Sequence, residues 1–146
     1  MTDISADDRL AIHELIARYS HVIDGRQWDK LHTIYTPDGA FDASQRGYPV
    51  AEGLDAVTEL MKVANHPMAH HATNVVLSPI DRDTVKGAVM VITVRAGGAA
   101  ATGDYRDLIV RTPAGWRFRK RTASLRNDDD AVPRPRDPAW LEEMTR

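Results

Sequence analysis

Near Met68 the apolar residues of this chain change their period, and that change limits the folds open to it more than any other feature. Before it, apolar residues recur three and four apart at Ile12, Leu15, Ile16, Tyr19, Val22 and Ile23, which lays one stripe along a helix. Ser5, followed by Ala6, Asp7 and Asp8, supplies an N-cap and first-turn carboxylates suited to the positive end of the helix dipole. Asp24-Gly25 supplies a stop, with Gly25 as a left-handed cap. Trp28, Leu31, Ile34 and Tyr35 keep helical spacing up to Pro37 and Asp38-Gly39, which predicts a helical hairpin. Ala40 to Ala43 and Tyr48 to Val50 read as short paired strands. Leu54, Val57, Leu60, Met61 and Ala64 predict a third helix, broken by Asn65-His66-Pro67. After Met68, Ala72 to Leu77, Thr84 to Val94, Thr102 to Arg111 and Trp116 to Leu125 are rich in β-formers and separated by short turns, the pattern of an antiparallel meander.

Helices first and long strands last predict an α+β domain, a curved antiparallel sheet packed on N-terminal helices and enclosing a pocket for a small, largely apolar molecule. The 146 residues fit one domain over 1–126 and a tail over 127–146. The tail carries three consecutive aspartates and alternating Pro and Arg, then Trp140, Leu141 and Met144 at the spacing of a short amphipathic turn.

Several function classes are set aside by composition. The absence of cysteine excludes disulfides, thiolate zinc sites and cysteine nucleophiles. A formal charge of −2 gives no electrostatic case for nucleic acid. No apolar run reaches the ~20 residues of a membrane span, and Met1 to Arg9 lacks the pattern of a secretory signal, so a cytoplasmic protein is expected. Phosphate-binding loops, serine-hydrolase elbows and metalloprotease motifs are missing, and neither a metal nor another cofactor is implied.

The candidate chemistry rests on few residues, each with an ordinary alternative. Asp24 reads as a surface Asp-Gly cap or as a carboxylate facing the concave side of the sheet. His70 and His71 open a strand, where alternation sends their side chains to opposite faces, so the pair cannot line one pocket or jointly hold a metal. Arg121 shares a parity with Arg119, opposite Trp116, Phe118 and Lys120, which reads as a solvated basic face or as an interior cation that binds negative charge. Tyr19 belongs to the core stripe by spacing, and Tyr105-Arg106-Asp107 reads as structural.

In order along residues 8–126 stand Ile16-Ala17-Arg18-Tyr19, Ile23-Asp24-Gly25-Arg26-Gln27-Trp28-Asp29, Pro37-Asp38-Gly39-Ala40-Phe41, His70-His71-Ala72-Thr73-Asn74 and Gly115-Trp116-Arg117-Phe118. Through them the chain resembles the SnoaL-like family of the nuclear-transport-factor-2-like superfamily, which includes scytalone dehydratase, bile-acid 7α-dehydratase and hexachlorocyclohexane dehydrochlorinase. The resemblance implies a cone-like α+β barrel in which Asp24 orients His70, the general base. His70 is preferred to His71 because Asn74 follows it by four residues, as in the family pattern. The resemblance also makes Arg121 a functional arginine and places Tyr19 and Phe41 in the pocket, and His71 is taken with them as a substrate contact. Two tyrosines that hold water in scytalone dehydratase fall at Ile23 and Ala43, so scytalone itself is not the expected substrate. The implied function is a cofactor-free lyase or isomerase on a small cyclic molecule; the alternative is a binding domain without turnover. A homodimer or homotrimer is expected, its sheet covering a convex face that carries Val89, Val91, Ile109 and Phe118.

Overall fold

The computed structural model describes residues 3–126. Helix α1 (Ala6–Asp24) begins in a capping box in which the Asp8 backbone N–H donates to Ser5 Oγ and the Asp8 carboxylate accepts from the Ser5 backbone N–H. A 3-10 turn (Trp28–Thr33) leads into β1 (Tyr35–Asp42), a short turn (Ser44–Arg46) and β2 (Ala51–Glu52). Helix α2 (Leu54–Val63) precedes four long strands, β3 (Ala69–Pro79), β4 (Thr84–Val94), β5 (Ala100–Thr112) and β6 (Gly115–Leu125). The strands form one six-stranded sheet in the order β2-β1-β6-β5-β4-β3. The tail from 127 lies outside the described residues, and with it Trp140, Leu141 and Met144. No described helix is long and apolar enough to cross a membrane.

The sheet is mixed rather than wholly antiparallel, because β1 runs parallel to β6. Its strand also begins earlier than expected: Ile34 and Tyr35 leave the helical turn, and Pro37 and Asp38 lie within the strand instead of closing a helix. The register shift between Tyr35 and Ala40 explains this, since a proline that cannot donate to a ladder is accommodated at an irregularity. Gly39 is required there, because a Cβ would meet the Thr36 carbonyl oxygen at 2.9 Å and the Phe118 carbonyl oxygen at 3.2 Å. At the end of α1, Gly25 is right-handed and the left-handed residue is Arg26 (φ 52°), so the expected cap is displaced by one position.

Two further bulges decide which side chains enter the core. In β6 the pairing passes from Ile109 with Phe118 to Leu108 with Lys120, leaving Arg119 as the extra residue. Trp116 and Phe118 therefore share the inner face with Arg121 and Ala123, against the simple parity expected of that strand. In β3 the register shifts between Thr73 and Val76, around Asn74 at φ 50°. Inner residues of the sheet pack against Ile12, Leu15, Ile16, Tyr19 and Ile23 of α1 and against Val57, Leu60 and Met61 of α2. Val89, Val91, Ile109 and Phe118 belong to this core, at 0–2% exposure, and not to the convex face. The outer face presents Val76 and Ile92 instead.

The far end of α1 is fastened to the last hairpin. Asp8 Oδ1 accepts from Trp116 Nε1 at 3.0 Å and from Arg111 Nη1 at 2.7 Å, and the Arg111 guanidinium lies 4.4 Å from the Trp116 ring centre. These bonds hold the Asp8 carboxyl well below the usual carboxylate range, the Arg111 bond being the strongest cause.

The bulge at Asn74 gives a direct test. A β-branched residue is strained at positive φ, so Asn74→Val is expected to lower unfolding stability in urea by about 1–2 kcal/mol. Asn74→Gly should be close to neutral. Equal stability of the valine variant would contradict the left-handed bulge.

Candidate active site

Asp24 is the last residue of α1 and His70 the second of β3, and the fold brings them together. Asp24 Oδ2 accepts the His70 backbone N–H at 2.9 Å, and Oδ1 meets His70 Nδ1 at 2.6 Å. A carboxylate can only accept in this bond, so Nδ1 carries the proton and Nε2 keeps the free lone pair. Asp24 is thus no simple helix cap. The His70 side chain is 7% exposed and lines a cavity with Tyr19, Phe41, Leu60, Met61 and Tyr105 in its walls. The enclosed space is small, about 30 Å³, and its mouth lies on the side of its less buried lining residues, Arg46, Tyr48, Asn65 and His66. Burial, with the charges of Arg121 and Arg26 beside it, lowers the proton affinity of His70 against the opposing pull of Asp24, which favours the neutral imidazole that a base requires.

His71 is exposed and lies outside that cavity. It borders a wider, open groove between α1 and β3 with His13, Ser20 and His21, which His70 also touches. We take the smaller cavity as the candidate site because its polar groups converge with aromatic walls, whereas the groove, though larger at about 360 Å³, is more open and has no Phe, Tyr or Trp in its lining.

Arg121 is fully buried and does not reach the cavity wall. Its Nε and Nη2 donate to the two Asp107 oxygens at 2.8 and 2.7 Å, a fork between paired residues of β5 and β6. Its guanidinium carbon lies 4.2, 4.1 and 4.1 Å from the ring centres of Tyr19, Tyr105 and Phe118. Nη1 has no partner among the described residues. Burial works against the guanidinium charge, but Asp107 outweighs it and Arg121 stays protonated. The Tyr19 hydroxyl is pushed up to about 12 by burial, with the Arg121 charge opposing the rise.

His66, which reads in sequence only as part of a helix-breaking triplet, is the second imidazole of the cavity. Its ring centre lies 6.5 Å from that of His70 and 5.5 Å from that of Trp28. Nε2 lies 2.7 Å from the Met61 carbonyl oxygen and must donate to it, leaving Nδ1 unprotonated. Burial lowers its proton affinity too. Tyr105 lines the cavity and Asp107 holds Arg121, so the Tyr105-Arg106-Asp107 run contributes to the site as well as to the sheet. Among the described residues no cluster of His, Asp and Glu is placed to hold a metal ion.

A sequence profile for the SnoaL-like domain matches residues 5–122. The uncharacterized protein Rv2910c of Mycobacterium tuberculosis is 32% identical over 126 residues, covering 78% of this chain and 82% of its own. An NTF2-like protein with a cystatin-like fold from Novosphingobium aromaticivorans is 26% identical, with a TM-score of 0.74 over 92% of this chain and 89% of that one. A hexachlorocyclohexane dehydrochlorinase, LinA type 2, is 24% identical, with a TM-score of 0.68 over 84% of this chain and 90% of its own. At that identity the likeness is one of fold.

The protonation state of His70 is measurable. His70 should titrate below the ordinary 6.5 when followed by ring NMR. The sign follows from linkage: with the folded pKa depressed, the unfolded chain takes up the proton first, so the stabilising contribution is complete above about 6.5 and is lost as pH falls through the folded value. A midpoint above 6.5 would show that Asp24, not burial, dominates.

Proposed function

Because the chain belongs to the family of SnoaL-like domains, we propose that it is a cofactor-free lyase or isomerase with His70 as general base. The carrying observation is the two-bond clasp of Asp24 on His70 at the edge of an aromatic-walled cavity. Asp24 fixes the tautomer and steadies the imidazolium that forms, and Nε2 takes a proton from an acidic C–H of the substrate. In an elimination the C–H electron pair becomes the new C=C bond while the leaving group departs with its own pair. In an isomerisation the same proton returns to another carbon. The chemistry of the walls suits a small, largely apolar cyclic molecule, which enters as side chains such as Met61 give way. Tyr19 faces the reacting groups, while Arg121 acts behind it as a positioning cation rather than as a substrate contact. The family resemblance to dehydratases and the fold likeness to a dehydrochlorinase support this reaction class.

The narrowness of the cavity favours a second reading, a domain that binds without turnover. Incubation with cyclic β-hydroxy ketones and halogenated cyclohexanes in D2O separates the two. Elimination or deuterium uptake is expected with the wild-type chain and should fall by about 10² to 10⁴ in both Asp24→Asn and His70→Ala. Full activity in both variants would remove His70 from the reaction, and no turnover of any probe would favour the binding reading.

We extend the proposal to assembly as a homodimer or homotrimer, supported by the exposed Val76 and Ile92 on the outer face of the sheet. Light scattering at micromolar concentration is expected to return a multiple of the 16.2 kDa chain mass. A monomer would refute it.

A further inference from the structure

The charges that border the cavity are one-sided. Arg46 stands at its mouth, with Asn65 and His66, and no carboxylate is among its lining residues. Several arginines away from the cavity have acidic partners: Arg9 with Asp3, Arg111 with Asp8 and Asp83, Arg119 with Asp38, Arg121 with Asp107, Arg126 with Asp104. Arg46 has no ion pair among the described residues, and its guanidinium lies 5.9 Å from the ring centre of Tyr48.

The turn that carries Arg46 is well braced. Asp42 Oδ1 accepts from the Ser44 backbone N–H at 3.0 Å and from Ser44 Oγ at 2.7 Å. The Arg46 backbone N–H donates to the Ala43 carbonyl at 2.8 Å. Tyr48 in turn accepts the Asn65 backbone N–H on its hydroxyl at 3.3 Å, tying this turn to the segment after α2. Arg46 is half-buried, and its positive field reaches Tyr19, Tyr105 and His66, all facing the cavity. The Asp24 charge is engaged by His70 and does not border this space.

From this placement we infer that Arg46 forms an anion subsite at the mouth, and that the molecule taken by the cavity carries a carboxylate on its apolar body. The inference rests on reading the cavity as a substrate site and names a property of that substrate. The apolar portion lies among Phe41, Leu60 and Met61, and the carboxylate remains at the mouth, where the guanidinium offers paired donors. Since the enclosed space is small, a ring enters only as flexible chains such as Met61 and Arg46 give way.

Calorimetry with a matched pair of probes, cyclohexanecarboxylate and cyclohexanecarboxamide, tests this. The wild-type chain at low salt is expected to bind the carboxylate about tenfold more tightly than the amide, the size of one charge-assisted hydrogen bond. The preference should shrink at 0.5 M NaCl and disappear in Arg46→Gln, with affinity for the amide unchanged. Equal affinity for the two probes, a preference that survives in Arg46→Gln, or binding of neither probe would each overturn the inference. Calorimetry reads binding alone and needs no turnover. Failure of the general-base reading therefore shows in turnover while the Arg46 preference stands.

Discussion

A guanidinium and a carboxylate, both wholly removed from water, set the terms for the interior of this domain. Burying either charge alone is costly, and in other proteins the loss of one partner from such a pair costs about 3–5 kcal/mol. Arg121 and Asp107 avoid that cost only while β5 and β6 keep the register that sets them opposite each other. That register requires Arg119 to be bulged out, since otherwise Arg121 would face outward with Lys120's neighbours and Asp107 would be left buried and unpaired. The rings of Tyr19, Tyr105 and Phe118 then close over the cation, and two of them become cavity wall. The polar centre and the apolar pocket are parts of one arrangement.

Asp24 makes a comparable link between elements. Its two oxygens hold the backbone and the ring of the same histidine, so the end of α1 and the start of β3 are fixed by one side chain. The backbone bond sets where the strand begins and the ring bond sets which nitrogen is free. A carboxylate used in this way serves packing and chemistry together, which is why it stands at a helix end that a plain polar cap would have satisfied.

The period change near Met68 made the order of helices and strands legible, together with the face of α1, and motif order made the Asp24 and His70 pair legible. What stayed hidden follows from irregular backbone. Alternation along β6 fails at Arg119, so Phe118 and Arg121, which simple parity sends to opposite faces, share one. Pro37 and Gly39 resemble a helix stop locally but form a kink inside β1, because the partner strand β6 arrives from far along the sequence, as the Thr36 and Phe118 contact at a separation of 82 shows. Val89, Val91, Ile109 and Phe118 face the helices and not the convex side, which alternation alone does not settle because it does not say which side the helices cover. His66 and Arg46 lie on turns, where neither period nor motif marks a side chain as inward.

The tie between Asp8 and the last hairpin bears on how the chain acquires its shape during synthesis. Asp8 bonds to Arg111 and Trp116 across separations of 103 and 108 residues, and β1 waits for β6 as its parallel partner. Helix α1 therefore leaves the ribosome long before the groups that hold its first turn exist. Folding of such a chain is governed by its final strands, and its vulnerable period is the interval before they emerge.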